Sequence, residues 1–160
     1  MHRSVQLFVA DKVESLGLDR GKVLEVGSLD VNGSVREYFD RCDEYTGVDM
    51  RPGEGVDVVA NAHKLPFLDA VFDTVLSCEM LEHDDRFWIS VAEMGRVLKP
   101  GGVLILTARG NGFKPHAYPD DYYRFMPSAF RSLIKMAGCA VLEIIEDPEA
   151  AGVFGVGRKE

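Results

Sequence analysis

Residues 103–108, VLILTA, are apolar at nearly every position, and a strand of that kind has to be covered on both faces. It therefore belongs in the middle of a sheet that carries helices on both sides. Further strand-like runs surround it in the chain: KVLEVG (22–27), YTGVDM (45–50), GVDVVANA (55–62), VFDTVLSC (71–78), AVLEIIE (140–146) and GVFGVGRK (152–159). Between them lie segments with helical spacing. Val5, Phe8, Val9, Val13 and Leu16 form one apolar face that stops near Gly17, and Val35, Tyr38 and Phe39 form another within 33–42. Phe87, Val91, Met94 and Leu98 mark a long helix over 85–98, ended by the KPGG turn at 99–102. The last helix spans 127–139, with Pro127 in its first turn and Gly138 as its stop. Only a few residues around Asp147 and Pro148 separate the final two strands. A parallel crossover needs a dozen or more, so this pair is expected to be antiparallel. The fold class is α/β, a mostly parallel sheet finished by one antiparallel hairpin.

A chain of 160 residues with 46% hydrophobic content buries roughly 70% of the surface its unfolded form exposes, and we expect a single domain over 1–160. The formal charge of −8 argues against a basic face gripping duplex nucleic acid. Cys42, Cys78 and Cys139 stand far apart with no C-x-x-C pair, which encodes neither a zinc ribbon nor a disulfide framework and fits reduced thiols in a cytoplasm. No apolar run reaches membrane-spanning length, so neither export nor a membrane span is expected.

Ligands of open α/β sheets bind beyond the carboxyl ends of the strands, which directs attention to VLEVGSLDVNGSV (23–35). The dinucleotide fingerprint G-x-G-x-x-G is missing there: Ser28, Leu29 and Asp30 follow Gly27, and the next glycine is Gly33. Phosphate binding at such a turn is opposed by nearby negative charge, and Glu25 and Asp30 supply it. A ligand with an ammonium and a sulfonium but no pyrophosphate suits these carboxylates better, and S-adenosylmethionine is such a ligand. Asp49, at the end of the second strand, is suited to a ribose diol, a need that NAD shares.

Taken in order, these segments resemble the class I S-adenosylmethionine-dependent methyltransferases, of the small type-11-like sort. VLEVGS is similar to the family's first motif, YTGVDM to its second, NAHKLPF to the adenine-side segment, FDTVLSCEMLEH to the fourth, and RVLKPGGVLILTA to the helix, turn and strand that follow. HAYPDDYYRFMP (116–127) is similar to the loop and helix start that many members hold near the acceptor. Many members have G-x-G-x-G where this chain has Gly27, Ser28 and Leu29. The resemblance implies a Rossmann-like seven-stranded sheet in the order 3-2-1-4-5-7-6, with the seventh strand antiparallel. It also implies Glu25 and Gly27 at the methionine end of the donor, Asp49 at its ribose, Met50 or Arg51 flanking the adenine, Asn61 and Ala62 at the adenine edge, and Cys78 and Glu79 closing the pocket. Packing alone also accounts for Met50, Ala62 and Cys78.

In EMLEHDD, Glu79, Glu82 and His83 stand at i, i+3 and i+4, which on a helix brings them to one face. Two carboxylates and an imidazole suit Mg²⁺ or Mn²⁺. The ubiquinone-pathway O-methyltransferases and the small-RNA 3′-terminal 2′-O-methyltransferases use a similar E-x-x-E-H segment for metal, while in many relatives it holds none. His116 is the further ligand available. For a hydroxyl or protonated amine acceptor, a base has to remove a proton, and His83 and His116 are the candidates. His63 reads as a loop histidine. Tyr123, Arg124 and Phe125 suit an acceptor pocket, although Arg124 equally suits a loop carboxylate. Three readings follow: a methyltransferase with an unidentified acceptor, a nicotinamide-dependent oxidoreductase, and a non-catalytic S-adenosylmethionine-binding partner subunit. Little chain remains for an acceptor lid, so the acceptor site is expected to be open and completed by a large substrate, a homodimer or another subunit.

Overall fold

A computed structural model describes residues 1–116 and 120–160; Ala117, Tyr118 and Pro119 of the HAYPDDYYRFMP segment lie outside the described residues. In chain order the elements are α1 (Arg3–Leu16), β1 (Lys22–Val26), β2 (Glu44–Asp49), β3 (Val58–Val59), β4 (Phe72–Cys78), α2 (Phe87–Val97), β5 (Leu98–Arg109), α3 (Pro127–Met136), β6 (Cys139–Glu146) and β7 (Gly152–Lys159). The sheet has seven strands in the order β3-β2-β1-β4-β5-β7-β6. Strands β1 to β5 pair in parallel, and β7 runs antiparallel to both β5 and β6. The Rossmann-like order and the terminal hairpin are those expected.

Successive residues of a strand face opposite sides, which explains why β5 is apolar throughout. Leu104 and Leu106 pack with Val91 and Met94 of α2 and Phe130 and Ile134 of α3, while Val103 and Ile105 pack with Val5, Val9 and Val13 of α1. Each face has its own core, and β5 belongs to both. Helix α1 ends as its sequence dictates: Gly17 takes the left-handed φ of 64° and returns its N–H to the Val13 carbonyl.

Three elements differ from expectation. The helix foreseen over 33–42 is a single 3-10 turn, Arg36–Phe39. The preceding residues are taken up by a side-chain-closed turn in which Asp30 Oδ1 accepts the Gly33 N–H at 2.7 Å, and burying Val35 and Phe39 needs only one turn of the remaining chain. Strand β3, at one edge of the sheet, is reduced to two residues, bracketed by the Asp57 N–H to Gly47 and Ala60 N–H to Asp49 carbonyl bonds. KPGG does not stand outside the sheet: β5 starts at Leu98, which pairs with Phe72, and the extra length is absorbed by a register shift before Thr74. No helix among the described residues is long and apolar enough to cross a membrane.

Candidate active site

The carboxyl ends of β1, β2 and β4 lie side by side, and the turn after β1 is built tightly against its neighbours. Gly27 has φ 84°, and a Cβ there would meet Met80 Cβ at 2.7 Å, so the position tolerates no side chain. The N–H groups of Gly27 and Ser28 donate to the Val48 carbonyl (2.8 and 3.1 Å), and that of Asp30 to the Glu54 carbonyl (2.9 Å). Three of the backbone donors that a phosphate could use at this turn are thus already engaged.

A cavity of about 780 Å³ opens beyond these strand ends, and Glu25, Gly27, Asp49, Met50, Asn61, Ala62, Cys78, Glu79, His83 and His116 all border it. Glu25 is only 3% exposed and its Oε2 accepts the Tyr45 hydroxyl at 2.7 Å. Burial pushes its carboxyl up to about 7; the Tyr45 bond and the Arg36 charge oppose this, and Asp30 adds to it. Asp49 is half-buried and accepts the Arg51 N–H through Oδ1 at 3.0 Å. Met50 is 64% exposed, which removes core packing as its explanation, whereas Ala62 does pack against the core. Asn61 is exposed and accepts the His63 N–H at 2.8 Å. The Cys78 thiol is buried and pushed up, first by burial and then by the charges of Glu25 and Glu79.

Glu79, Glu82 and His83 do not converge on one helical face. The EMLEHDD segment forms only a 3-10 turn, Leu81–His83, and Glu79 before it sits at the left-handed φ of 54°. Glu79 Oε1 lies 2.6 Å from Arg109 Nη2 and 2.7 Å from His2 Nδ1, while Oε2 accepts the His2 N–H at 3.0 Å. Held in this way, Glu79 is engaged with Arg109 and His2. The group that comes together instead is Glu82, His83 and His116, whose ligand-capable atoms lie within 4.8 Å of one another. Glu82 is fully buried, and among the described residues neither of its carboxyl oxygens has a hydrogen-bond partner. Burial, with the Glu79 charge added and Arg109 opposing, pushes its carboxyl up to about 7.

His83 Nδ1 lies 2.5 Å from the Asp120 carbonyl. A carbonyl only accepts, so Nδ1 holds the proton and Nε2 of the neutral ring keeps its lone pair. His116 stands edge-on to His83 with ring centroids 4.8 Å apart, and burial and the His83 charge lower its pKa. In the loop beyond, Arg124 pairs with Asp121 and donates to the carbonyls of Phe113 and Lys114, so it braces the loop. Phe125 is core and the Tyr123 hydroxyl bonds the Asp85 carbonyl; of YYRF, only Tyr122 borders the cavity.

Sequence reasoning passed over three residues and gave a fourth, His63, no partner. His63 is more than a loop histidine: its Nε2 pairs with Asp84 at 2.7 Å, and Asp84 in turn accepts the Ser90 hydroxyl at 2.5 Å. Arg109 is fully buried between Glu79 and Asp147; a charge directly after the apolar VLILTA was its available signal. Tyr45 and His2 had none, because their partners Glu25 and Glu79 are distant in sequence.

A family model described as a methyltransferase domain matches residues 24–106. The chain belongs to that family. The match runs from β1 into β5, across the strand ends that border the cavity, and stops before the loop with His116. An uncharacterized methyltransferase of Mycobacterium avium is 36% identical over 95 residues, covering 49% of this chain and 38% of that protein. The ubiquinone/menaquinone biosynthesis C-methyltransferase of Chromobacterium violaceum is 35% identical over 108 residues, 66% of this chain and 41% of its own length. The chain thus spans less than half of these two relatives. Among solved structures, the Burkholderia thailandensis 1,6-didemethyltoxoflavin-N1-methyltransferase, with bound 1,6-didemethyltoxoflavin and S-adenosylhomocysteine, has the same fold: TM-score 0.80 at 18% identity, over 98% of this chain and 78% of that one.

Proposed function

We propose that this methyltransferase-family chain binds S-adenosylmethionine in the 780 Å³ cavity and methylates a hydroxyl or amine of an acceptor, leaving S-adenosylhomocysteine. The observation that carries the reading is the placement of a buried carboxyl, Glu25, and of Asp49 at adjacent strand ends, beside a turn whose Gly27, Ser28 and Asp30 amides are already engaged. Such a wall favours a ligand with an ammonium and a diol over one with a pyrophosphate, which also counts against the nicotinamide reading. Bound there, the sulfonium supplies an electrophilic methyl carbon for in-line displacement. Glu25 takes the ammonium, Asp49 the ribose hydroxyls, Met50 the adenine face, and Asn61 with Ala62 its edge, while Gly27 and Cys78 leave room at the methionine end. Glu79, tied to Arg109 and His2, serves as a wall rather than a free ligand. His83 Nε2 receives the acceptor proton, with Asp120 fixing the ring through Nδ1. His116, its pKa lowered, is held neutral beside it as a second base. The chain's contribution to rate is chiefly alignment of acceptor and methyl group, and a large substrate or second subunit completes the acceptor side.

A second reading adds a metal, supported by the unpartnered, fully buried Glu82 beside His83 and His116. One carboxylate and two imidazoles suit Mn²⁺ better than Mg²⁺, and these three residues would hold it. The test is transfer of labelled methyl from S-adenosylmethionine into a cell extract separated into small-molecule, lipid, protein and RNA fractions, with either ion or with chelator. Label in one fraction is expected and names the acceptor class. Donor binding without label in any fraction would favour the non-catalytic partner subunit. Activity unaffected by chelator would remove the metal.

A further inference from the structure

Tyr45 lies opposite Val23 in the parallel β1–β2 register, so it shares a sheet face with Glu25, two residues further along β1. Its hydroxyl reaches along the strand to Glu25 Oε2 at 2.7 Å. The ring packs against two neighbours. Arg36 lies 4.8 Å from its centroid and the Phe39 ring 5.5 Å away. Arg36 is itself fixed, donating to the Tyr45 carbonyl at 3.2 Å and to Asp57 at 2.9 Å, and Asp57 also accepts the Gly47 N–H at 2.7 Å. A chain of contacts thus runs from the edge of the sheet to a carboxyl bordering the cavity.

We propose that Tyr45 is a positioning residue, whose hydroxyl fixes the Glu25 carboxyl and favours its ionised form for an ammonium group in the cavity. The inference rests on the donor reading above. Charged or titratable groups facing Glu25 come from each neighbouring element: Tyr45 from β2, Arg36 from the 3-10 turn, Asp30 from the turn after β1 and Cys78 from β4. Arg36 favours the carboxylate; Asp30 opposes it. Tyr45 alone among these four is hydrogen-bonded to it in the described residues. Burial and Glu25 push the Tyr45 phenol up, so it stays a donor through the whole working pH range. A hydrogen bond given to the ionised form stabilises that form. Phenylalanine at this position keeps the ring packing and deletes only the bond.

The test is a carboxyl ¹³C NMR titration of the free protein, the Glu25 signal being assigned by its loss in Glu25→Gln, together with calorimetric binding of S-adenosylmethionine between pH 6 and 8.5. In Tyr45→Phe the Glu25 midpoint is expected to move from about 7 upward by about one unit. The ionised fraction at pH 7 then falls from about one half to about one tenth, and donor binding weakens about fivefold there and less than twofold at pH 8.5. Full replacement of tyrosine by 3-fluorotyrosine, a stronger donor, should move the midpoint down and covers the case in which Tyr45→Phe fails to fold. An unmoved midpoint in the variant that folds overturns the proposal. So does donor binding that Tyr45→Phe leaves unchanged at every pH. Wild-type protein that binds no S-adenosylmethionine at any pH overturns the donor reading itself, which the NMR titration separates from a failure of the tyrosine contact.

Discussion

Burial holds a proton on Glu25 up to about pH 7, whereas the same side chain in the unfolded state loses it near pH 4.3. A carboxyl with a raised folded pKa contributes stability that is present in full below the unfolded value and lost as pH rises through the folded one. Glu25→Gln keeps the shape and an acceptor for Tyr45 while removing the titration. Denaturant unfolding should therefore find Glu25→Gln within about 1 kcal/mol of wild type at pH 5 and more stable by roughly 2–3 kcal/mol at pH 8, with S-adenosylmethionine binding weakened. Equal pH profiles for the two proteins would contradict this account. Arg109 presents the reverse situation, a fully buried cation between two carboxylates that depend on it. Arg109→Leu leaves the fully buried Asp147 side chain without its cation and Glu79 with only His2 and the N-terminal ammonium, and is expected to cost about 3–5 kcal/mol in unfolding free energy. Arg109→Lys should rescue only part of that, because a single ammonium does not span both partners as the planar fork does.

At the scale of elements, α2 and α3 meet at a glycine. A Cβ on Gly95 would stand 2.3 Å from the Ala137 carbonyl oxygen, and backbone is not free to step aside. Gly95→Ala should destabilise by about 1–3 kcal/mol at all pH values, measured by denaturation, and leave donor binding intact because the contact lies away from the cavity. The same scale explains what could be read from the sequence. Strand β5 and the β6–β7 hairpin were legible because an all-apolar run and a short connection each leave one packing solution. The 33–42 segment was not. Its three apolar positions fit a helix, but the Asp30–Gly33 turn and the need to bury only Val35 and Phe39 decide for a single 3-10 turn. EMLEHDD failed for a related reason: seven residues carry too little periodicity to establish a helix, and the Arg109 and His2 contacts that engage Glu79 are made across the fold. The candidate donor residues lie at strand ends, so their gathering around one cavity followed from strand order. Which of them is free, tied or protonated depends on long-range partners that spacing does not encode.

For the whole molecule, the decisive property is which ligand the folded state prefers to the unfolded one. Anything that binds only the folded chain stabilises it by RT ln(1 + [L]/Kd), about 2.7 kcal/mol at a hundredfold excess over Kd. In a chain of this size each kcal/mol raises the melting temperature by roughly 2–4 °C. S-adenosylhomocysteine at that excess is therefore expected to raise Tm by roughly 5–10 °C. It retains the ammonium, ribose and adenine that Glu25, Asp49 and Asn61 are assigned. NAD shares the adenine and ribose but adds a pyrophosphate, which would lie against Glu25 and a turn whose Gly27, Ser28 and Asp30 amides are already bonded to Val48 and Glu54. At equal concentration it should leave Tm within about 1 °C of the free protein, since little of the binding free energy in this linkage remains to it. A comparable rise with NAD would mean that the turn opens and frees its amides for phosphate, and would return the nicotinamide reading to first place. A rise with S-adenosylhomocysteine that disappears in Glu25→Gln, measured in the same scans, ties the preference to the Glu25 carboxyl and its charge.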